Sequence, residues 1–369
     1  MTLESVEDKQ IKFYHFLDET TYEHVSVVLA QGLSELGYVN YGSCNYWEEF
    51  QSDYLIKQTA LSSHVNSIAI ISSSYHLKNL NSIESIRKLV KYLILIDSED
   101  GGEKTECKPF YSSFDLVLRC HYSSKIENAK NVIPWQWGIT NHMIKWIRDA
   151  NEHNSKKIQI NFRVPHQARN MGIKILSKSV SKRFQIVREI DYLEDHVRGF
   201  LTEEQLHYVR LTQNRCLPNY AKRIKDSALA FSFAGWFYVN EQMYLIRKIK
   251  NIAIRLGVKI PKSAVLVQFD SWRLWENFFS GVPVVHFDLD LYSAQLPVQP
   301  VNGVHYLGVD LRGRVNGVDL NRFLDNKSEI SQAATDFVNQ HYTPRAIASR
   351  FIQVSNDAGF KVNGLKNRA

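Results

Sequence analysis

In the stretch VLVQFDSWRLWENFFSGVPVVHFD, Val265 to Asp288, an arginine and a glutamate stand three residues apart between two apolar runs. A guanidinium is a permanent cationic fork and a carboxylate accepts hydrogen bonds, so together they suit a ligand carrying both anionic and hydroxyl groups. Val265, Leu266, Val267 and Phe269 read as a strand, and Asp270 or Ser271 follows as a helix N-cap. Leu274, Trp275, Phe278 and Phe279 then share one helix face, whereas Trp272, Arg273 and Glu276 lie around the other. Gly281 stands where a left-handed cap is wanted, Pro283 stops the helix, and Val282, Val284, Val285 and Phe287 read as the next strand. In such a β-α-β unit the helix N-terminus points into the crevice beyond the strand ends, where open parallel sheets bind ligands. The structural alternative is an exposed Arg273–Glu276 pair contributing about 0.2–0.5 kcal/mol, with Trp272 as a partly buried aromatic.

The elements that position this stretch alternate along the chain. Lys12 to Phe16 reads as a strand, followed by a helix through Val25, Val28, Leu29, Leu33 and Leu36 that ends near Gly37. Asn66 to Ser74, Lys91 to Ser98 and Phe114 to Cys120 are three more short apolar runs, with helical patterns from Ile83 to Val90 and from Asn141 to Ala150. The polar stretch Asn151 to Lys157 marks a domain boundary, after which the pattern restarts. Lys157 to Val164, Phe184 to Ile190 and Ala228 to Gly235 read as strands; His166 to Val180, Thr202 to Lys225 (broken at Pro218) and Glu241 to Leu256 read as helices. The predicted fold class is α/β, with two doubly wound domains in series facing a central cleft.

With 369 residues, two domains are the natural expectation, and 44% hydrophobic content excludes a disordered chain. A formal charge of +7 suits a phosphate-bearing ligand, nucleic acid or an acidic membrane surface. The excess is scattered, without a basic block, and no nucleic-acid-binding signature accompanies it. Cys44, Cys107, Cys120 and Cys216 show neither C-x-x-C nor zinc-site spacing, which favours reduced thiols and a cytoplasmic location, with peripheral contact to acidic membrane as an option. Phosphate-loop and dinucleotide-binding glycine motifs are absent from the expected positions.

Three segments, YAKRIKDSALAFSFAGW (Tyr220 to Trp236), DSWRLWENFFSGVPVV (Asp270 to Val285) and FVNQHYTPRAIASRFI (Phe337 to Ile352), together resemble the donor half of two-domain, GT-B-type glycosyltransferases, especially exostosin-like and bacterial relatives. The resemblance covers roughly the last 150 residues, and its most specific part is E-x-x-x-x-G-x-P-V from Glu276 to Val284. It implies Rossmann-like domains: an acceptor-side domain at 1–150, a nucleotide-sugar donor domain at 155–345, and a terminal helix at 346–369 that could cross back onto the first. By this resemblance Glu276 lies near the donor ribose, and Asp270, Ser271, Trp272 and Arg273 lie beside the diphosphate or sugar. A carboxylate can accept two ribose hydroxyls, and a guanidinium can neutralise the leaving diphosphate without a metal.

Gly235 and Trp236, with Arg163, His166 and Arg169 after the second domain's first strand, complete the expected donor site. Arg273 is the expected leaving-group stabiliser and Asp18 the expected base, chosen over Glu19, Asp97 and His121 because it follows the first strand directly. His15, alternating inside a strand, reads as a packed histidine. Asp288 and Asp290 are the one pair of carboxylates after a donor-half strand that could hold a cation, although the expectation is no cofactor, only a nucleotide-diphosphate sugar as co-substrate. The acceptor would be a glycan, a lipid-linked group or a protein. The segment 237–266 is longer than the family pattern, and its Lys248, Lys250 and Arg255 read as a solvated face or a lid. Two other functions compete: a nucleic-acid-binding or DNA-modifying protein with the same fold, and a scaffold that keeps the fold without catalysis.

Overall fold

Short β-branched and aromatic runs, each followed by an apolar-periodic helix, build the first half as a parallel sheet. The computed structural model describes residues 11–61, 67–99, 108–125, 129–150, 156–160, 167–180, 184–188, 201–215, 218–238, 265–310 and 320–362. The first half contains strands β1 (Lys12–Phe16), β2 (Asn40–Gly42), β3 (Tyr46–Glu48), β4 (Tyr54–Gln58), β5 (Ser67–Ser72), β6 (Tyr92–Asp97), β7 (Leu116–Arg119), β8 (Tyr122–Ser123) and β9 (Val132–Pro134). Its helices are α1 (His24–Glu35), α2 (Ser73–Lys78), α3 (Ile83–Arg87) and α4 (Asn141–Asp149). All these strands except β8 lie in one sheet ordered β3-β4-β2-β1-β5-β6-β7-β9, parallel but for the β3/β4 edge. Alternation sorts the side chains: Phe13 joins the core under α1, whereas Tyr14 and Phe16 join that under α3.

The second half adds β10 (Lys157–Ile160), β11 (Gln185–Arg188), β12 (Leu229–Phe231), β13 (Trp236–Tyr238), β14 (Val265–Val267), β15 (Val284–Phe287), β16 (Ala294–Gln295) and β17 (Leu307–Val309). Its helices are α5 (Gln167–Val180), α6 (Glu203–Leu211), α7 (Pro218–Lys225), α8 (Trp272–Phe279), α9 (Leu320–Asp325), α10 (Lys327–His341) and α11 (Pro344–Asp357). The parallel sheet is ordered β11-β10-β12-β15-β17. The α/β class with parallel sheets therefore stands. One local expectation is corrected: β14 does not enter the parallel sheet as the first strand of a β-α-β unit, but pairs antiparallel with β13. Three residues of β14 suffice to close a ribbon with Trp236–Tyr238, and β15 takes the place beside β12. The predicted helix from Glu241 to Leu256, with Lys248, Lys250 and Arg255, lies outside the described residues, as does most of the predicted boundary at Asn151 to Lys157.

The two halves share a core. Tyr22, Trp47 and Trp146 from the first half and Trp275, Phe287 and Tyr342 from the second belong to one apolar cluster. β8 pairs antiparallel with β16, placing Ser123 opposite Ala294. Helix α11 leaves the second half and packs on α1, its Ile347, Ala348 and Phe351 joining Val25, Val28 and Leu29. The approach is close enough that a Cβ on Gly32 would stand 1.9 Å from the Pro344 carbonyl oxygen. Among the described residues, no helix is long and apolar enough to cross a membrane.

Candidate active site between the two sheets

Strand order reverses beside β1 in the first sheet, between β1 and β5, and beside β10 in the second, between β10 and β12. Such switch points open crevices at the carboxyl ends of parallel strands. In the first half, residues 17–23 leave β1 and Ser72 ends β5. In the second, residues 232–235 leave β12, and the β13/β14 ribbon brings residues 268–273 alongside them. The Gly235 amide donates to the Gln268 carbonyl (3.2 Å), and a Cβ on Gly235 would collide with the Gln268 side chain. A side chain at this position would have to displace the Gln268 amide group. Two segments some thirty residues apart are thereby joined.

The turn after β14 is clamped from the other half. Asp270 is buried; its Oδ1 accepts from Trp275 Nε1 (2.7 Å) and its Oδ2 from the Trp137 amide (2.8 Å). The Asp270 amide donates to His121 Nδ1 (3.3 Å). Burial raises the Asp270 pKa to about 6 against the opposing pull of His121 and these donors. With both oxygens engaged, Asp270 links the two halves. Trp272 extends this junction: its ring lies 5.3 Å from His24, 5.2 Å from Trp137 and 6.2 Å from Tyr22. Arg273 lies over the Trp272 ring at 5.3 Å, half-buried, in the first turn of α8. Ser271 occupies the N-cap position, and no side chain caps the turn.

Glu276 departs from the expected exposed face: its accessibility is 0%. Helix α8 is buried around more of its circumference than the spacing of its hydrophobic residues implied, because α10 and α4 pack on it as well as the sheet. Neither Glu276 oxygen makes a hydrogen bond of ordinary geometry among the described residues. Burial raises its pKa to about 7, opposed by the Tyr220 hydroxyl and the Arg273 charge. The adjacent Asn277 ties α8 to the end of β12 by donating to Ser232 Oγ (2.7 Å).

On the opposite wall, Asp18 follows β1 but is a turn anchor. Its Oδ1 accepts from the Thr20 amide (3.0 Å) and hydroxyl (2.8 Å), and its Oδ2 from the Thr21 hydroxyl (2.8 Å) and Lys78 Nζ (2.6 Å). Burial alone would raise its pKa, but the bonds from Lys78, Thr21 and Thr20 outweigh it and hold the carboxyl at about 2. A base that weak does not suit neutral pH. Five residues on, Glu23 has the opposite character. It is buried, Oε1 accepts from the Ser72 hydroxyl at the end of β5 (2.8 Å), and burial raises its pKa to about 7. The sequence reading passed over Glu23; its one signal was a carboxylate on the loop between the first strand and helix.

The other candidates are placed as follows. Glu19 is exposed; Asp97 is buried and bonded to Lys108 (2.9 Å) and to the Tyr111 hydroxyl. His121 has φ +57 and its Nδ1 faces the Asp270 amide. His15 is a packed histidine, bonded through Nε2 to Asn40 Oδ1 (3.0 Å) and lowered by burial to about 4. Gly235 is in the junction and Arg169 is half-buried on α5, whereas Arg163, His166 and the Trp236 side chain lie outside the described residues. Asp288 accepts from the Leu291 amide (3.0 Å) and Asn302 Nδ2 (3.0 Å), and Asp290 accepts from Gln299 Nε2 (3.2 Å).

An aromatic and histidine cluster, also missed, lines the junction. His24 is buried between the Tyr22 hydroxyl (2.9 Å) and the Gly138 carbonyl (3.1 Å), and His142 stacks on Tyr208 at 4.9 Å. Burial lowers His24 to about 4 and His142 to about 3, so both are neutral at physiological pH.

No protein-family model matches this chain, and no curated protein matches it by sequence. Solved structures do. A glycosyltransferase from Rickettsia africae ESF-5 superposes with a TM-score of 0.52 at 10% identity, covering 95% of this chain and 99% of that one. A sucrose-phosphate synthase from Thermosynechococcus elongatus has a TM-score of 0.48 at 7% identity, covering 95% and 99%. The catalytic domain of starch synthase IV from Arabidopsis thaliana, bound to ADP and acarbose, has the same TM-score, identity and coverage. The likeness to the Rickettsia enzyme establishes that this chain has the two-sheet α/β fold of that glycosyltransferase.

Proposed function

We propose that this protein transfers a sugar from a nucleotide-diphosphate donor to an acceptor hydroxyl in the cleft between its halves. The observation that carries the reading is Glu276: a fully buried carboxylate whose two oxygens lack ordinary hydrogen bonds among the described residues, one turn into a helix whose first turn carries Arg273 at the interdomain junction. Buried polar atoms in native proteins are overwhelmingly satisfied, and a ribose diol supplies two donors at the spacing of one carboxylate. The exostosin-like pattern from Glu276 to Val284 and the fold support the same assignment. In this reading Arg273 and the uncapped amides of α8 receive the charge that develops on the departing diphosphate, with no metal required. Glu23 takes the acceptor's proton; its raised pKa suits a base working near neutrality. Asp270 and Trp272 act through position, keeping the donor-side turn against the first half.

A thermal-shift and calorimetric comparison of uridine, adenosine and guanosine diphosphates tests this. The expected result is saturable binding of one nucleotide that Glu276→Gln weakens by roughly 1–3 kcal/mol, the usual effect of losing a charge-assisted bond. Absence of nucleotide binding would overturn the reading. Binding without hydrolysis or transfer of any matching sugar nucleotide would leave a scaffold in its place.

A further inference from the structure

A second pocket, of about 530 Å³, lies on the outside of the molecule where α10 ends and α11 begins. Its walls carry His341, Arg345 and Arg350 with the polar side chains of Asn339, Thr343 and Ser349, and among the described residues no aspartate or glutamate lines it. Arg350 is half-buried. Its Nη2 donates to the His341 carbonyl (3.0 Å), its Nη1 is buried without an acceptor among the described residues, and its guanidinium lies over the Tyr342 ring at 5.6 Å. No carboxylate pairs with Arg345 or Arg350 among the described residues; Arg345 Nη1 reaches only the Glu35 carbonyl (3.4 Å). The pocket also receives the start of α11. Thr343 directs its hydroxyl to the Asn339 carbonyl (3.5 Å), so no side chain caps the helix, and the first turn contains no acidic residue. A partly desolvated cation without a counter-charge is unfavourable, and an anion entering the pocket would relieve it.

We infer that this pocket binds a phosphate group, through Arg350, Arg345 and His341 together with the N-terminal turn of α11. Its volume falls within the range of small-molecule sites, large enough for a phosphorylated metabolite or a phospholipid headgroup. The site is separate from the proposed donor cleft: it is built on the crossing helix, whereas Arg273 and Glu276 are on α8. Its existence does not depend on the reaction proposed above.

The test uses the full chain and inorganic phosphate, followed through the ring resonances of His341, which are assigned with His341→Gln. Phosphate is expected to shift these resonances saturably and to raise the His341 pKa. Arg350→Met, which keeps the aliphatic packing over Tyr342, is expected to weaken the dissociation constant by about tenfold or more. Arg273→Met, in the cleft, should leave it unchanged. Arg345→Ala, at an exposed position, should weaken it by about threefold and tests the site without touching the core. In a parallel arm the chain is floated with vesicles of phosphatidic acid and phosphatidylcholine. Arg350-dependent flotation without a response to free phosphate would assign the same site to a lipid headgroup. Equal phosphate affinity in Arg350→Met, loss in Arg273→Met instead, or no response in either arm would overturn the inference.

Discussion

At the scale of single residues, the structure separates carboxylates that look alike in sequence. Asp18 and Glu23 share one loop, yet one is held near 2 by four donors and the other is raised to about 7 by burial. If Glu23 is the base, Glu23→Gln should lower turnover by about 10²–10⁴-fold. In the wild type, activity should rise with pH through about 7 as the carboxyl loses its proton, and that acid limb should vanish in the variant. A pH–rate profile decides; an unaltered limb would remove Glu23 from the mechanism. For Glu276 the linkage runs against the usual carboxylate. Its folded pKa of about 7 exceeds the ordinary 4.5, so the folded state binds the proton more tightly. The favourable contribution is present below 4.5 and is lost as pH rises through 7, where a buried charge remains. Glu276→Gln is therefore expected to raise stability at pH 8 by roughly 1–3 kcal/mol relative to wild type. That gain should shrink toward zero by pH 4.5. Denaturant melts across this range would expose the opposite sign.

At the scale of elements, the packing of α11 on α1 allows a sharp test. An exposed Gly to Ala change inside a helix stabilises by about 1 kcal/mol through propensity alone. At Gly32 the added methyl would meet the Pro344 carbonyl at 1.9 Å and Ala348 Cβ at 2.7 Å. Backbone cannot swing aside as a flexible side chain can, so the collision should win. Gly32→Ala is expected to destabilise by roughly 1–3 kcal/mol, measured by urea unfolding. Stabilisation instead would mean that α11 separates readily from α1. The same scale explains what sequence reading missed. Strands β2, β3 and β4 are three to five residues long and bear Gly42, Asn40, Glu48 and Lys57, so no apolar period marks them. Their strand state comes from pairing, with β2 adding to β1 and β4 to β2.

At the scale of the whole molecule, Asp270 is the bracket between halves. Its carboxylate accepts the Trp137 amide from one side and Trp275 Nε1 from the other, and Trp275 in turn stacks on Tyr342 at 3.6 Å. Asp270→Ala should leave each sheet folded while loosening their junction, since the two buried donors lose their acceptor. Hydrogen exchange should quicken at residues 135–138 and 270–275 while β5 and β15 keep their protection. Small-angle scattering should give a larger radius of gyration. Equal compactness and equal exchange would show that the β8/β16 pair and the shared aromatic core hold the halves without Asp270.

The sequence by itself determined the alternating α/β order, several element positions and the strand-to-helix turn carrying Arg273. Hydrophobic periodicity, glycine and proline are local properties that survive without a fold. Lys12 to Phe16 is the clearest case, an apolar run that became a strand over the same residues. Tertiary structure alone decided that β14 turns back on β13, that Glu276 is enclosed, and that Glu23 and not Asp18 has a base's pKa. It also decided that Arg350 is half-buried with no carboxylate partner among the described residues. The settings of the carboxylates depend on groups tens or hundreds of residues away: Ser72 for Glu23, Lys78 for Asp18, Trp137 for Asp270. Charge and solvation are set by the neighbours that folding brings together, which the spacing of residue types along the chain does not encode.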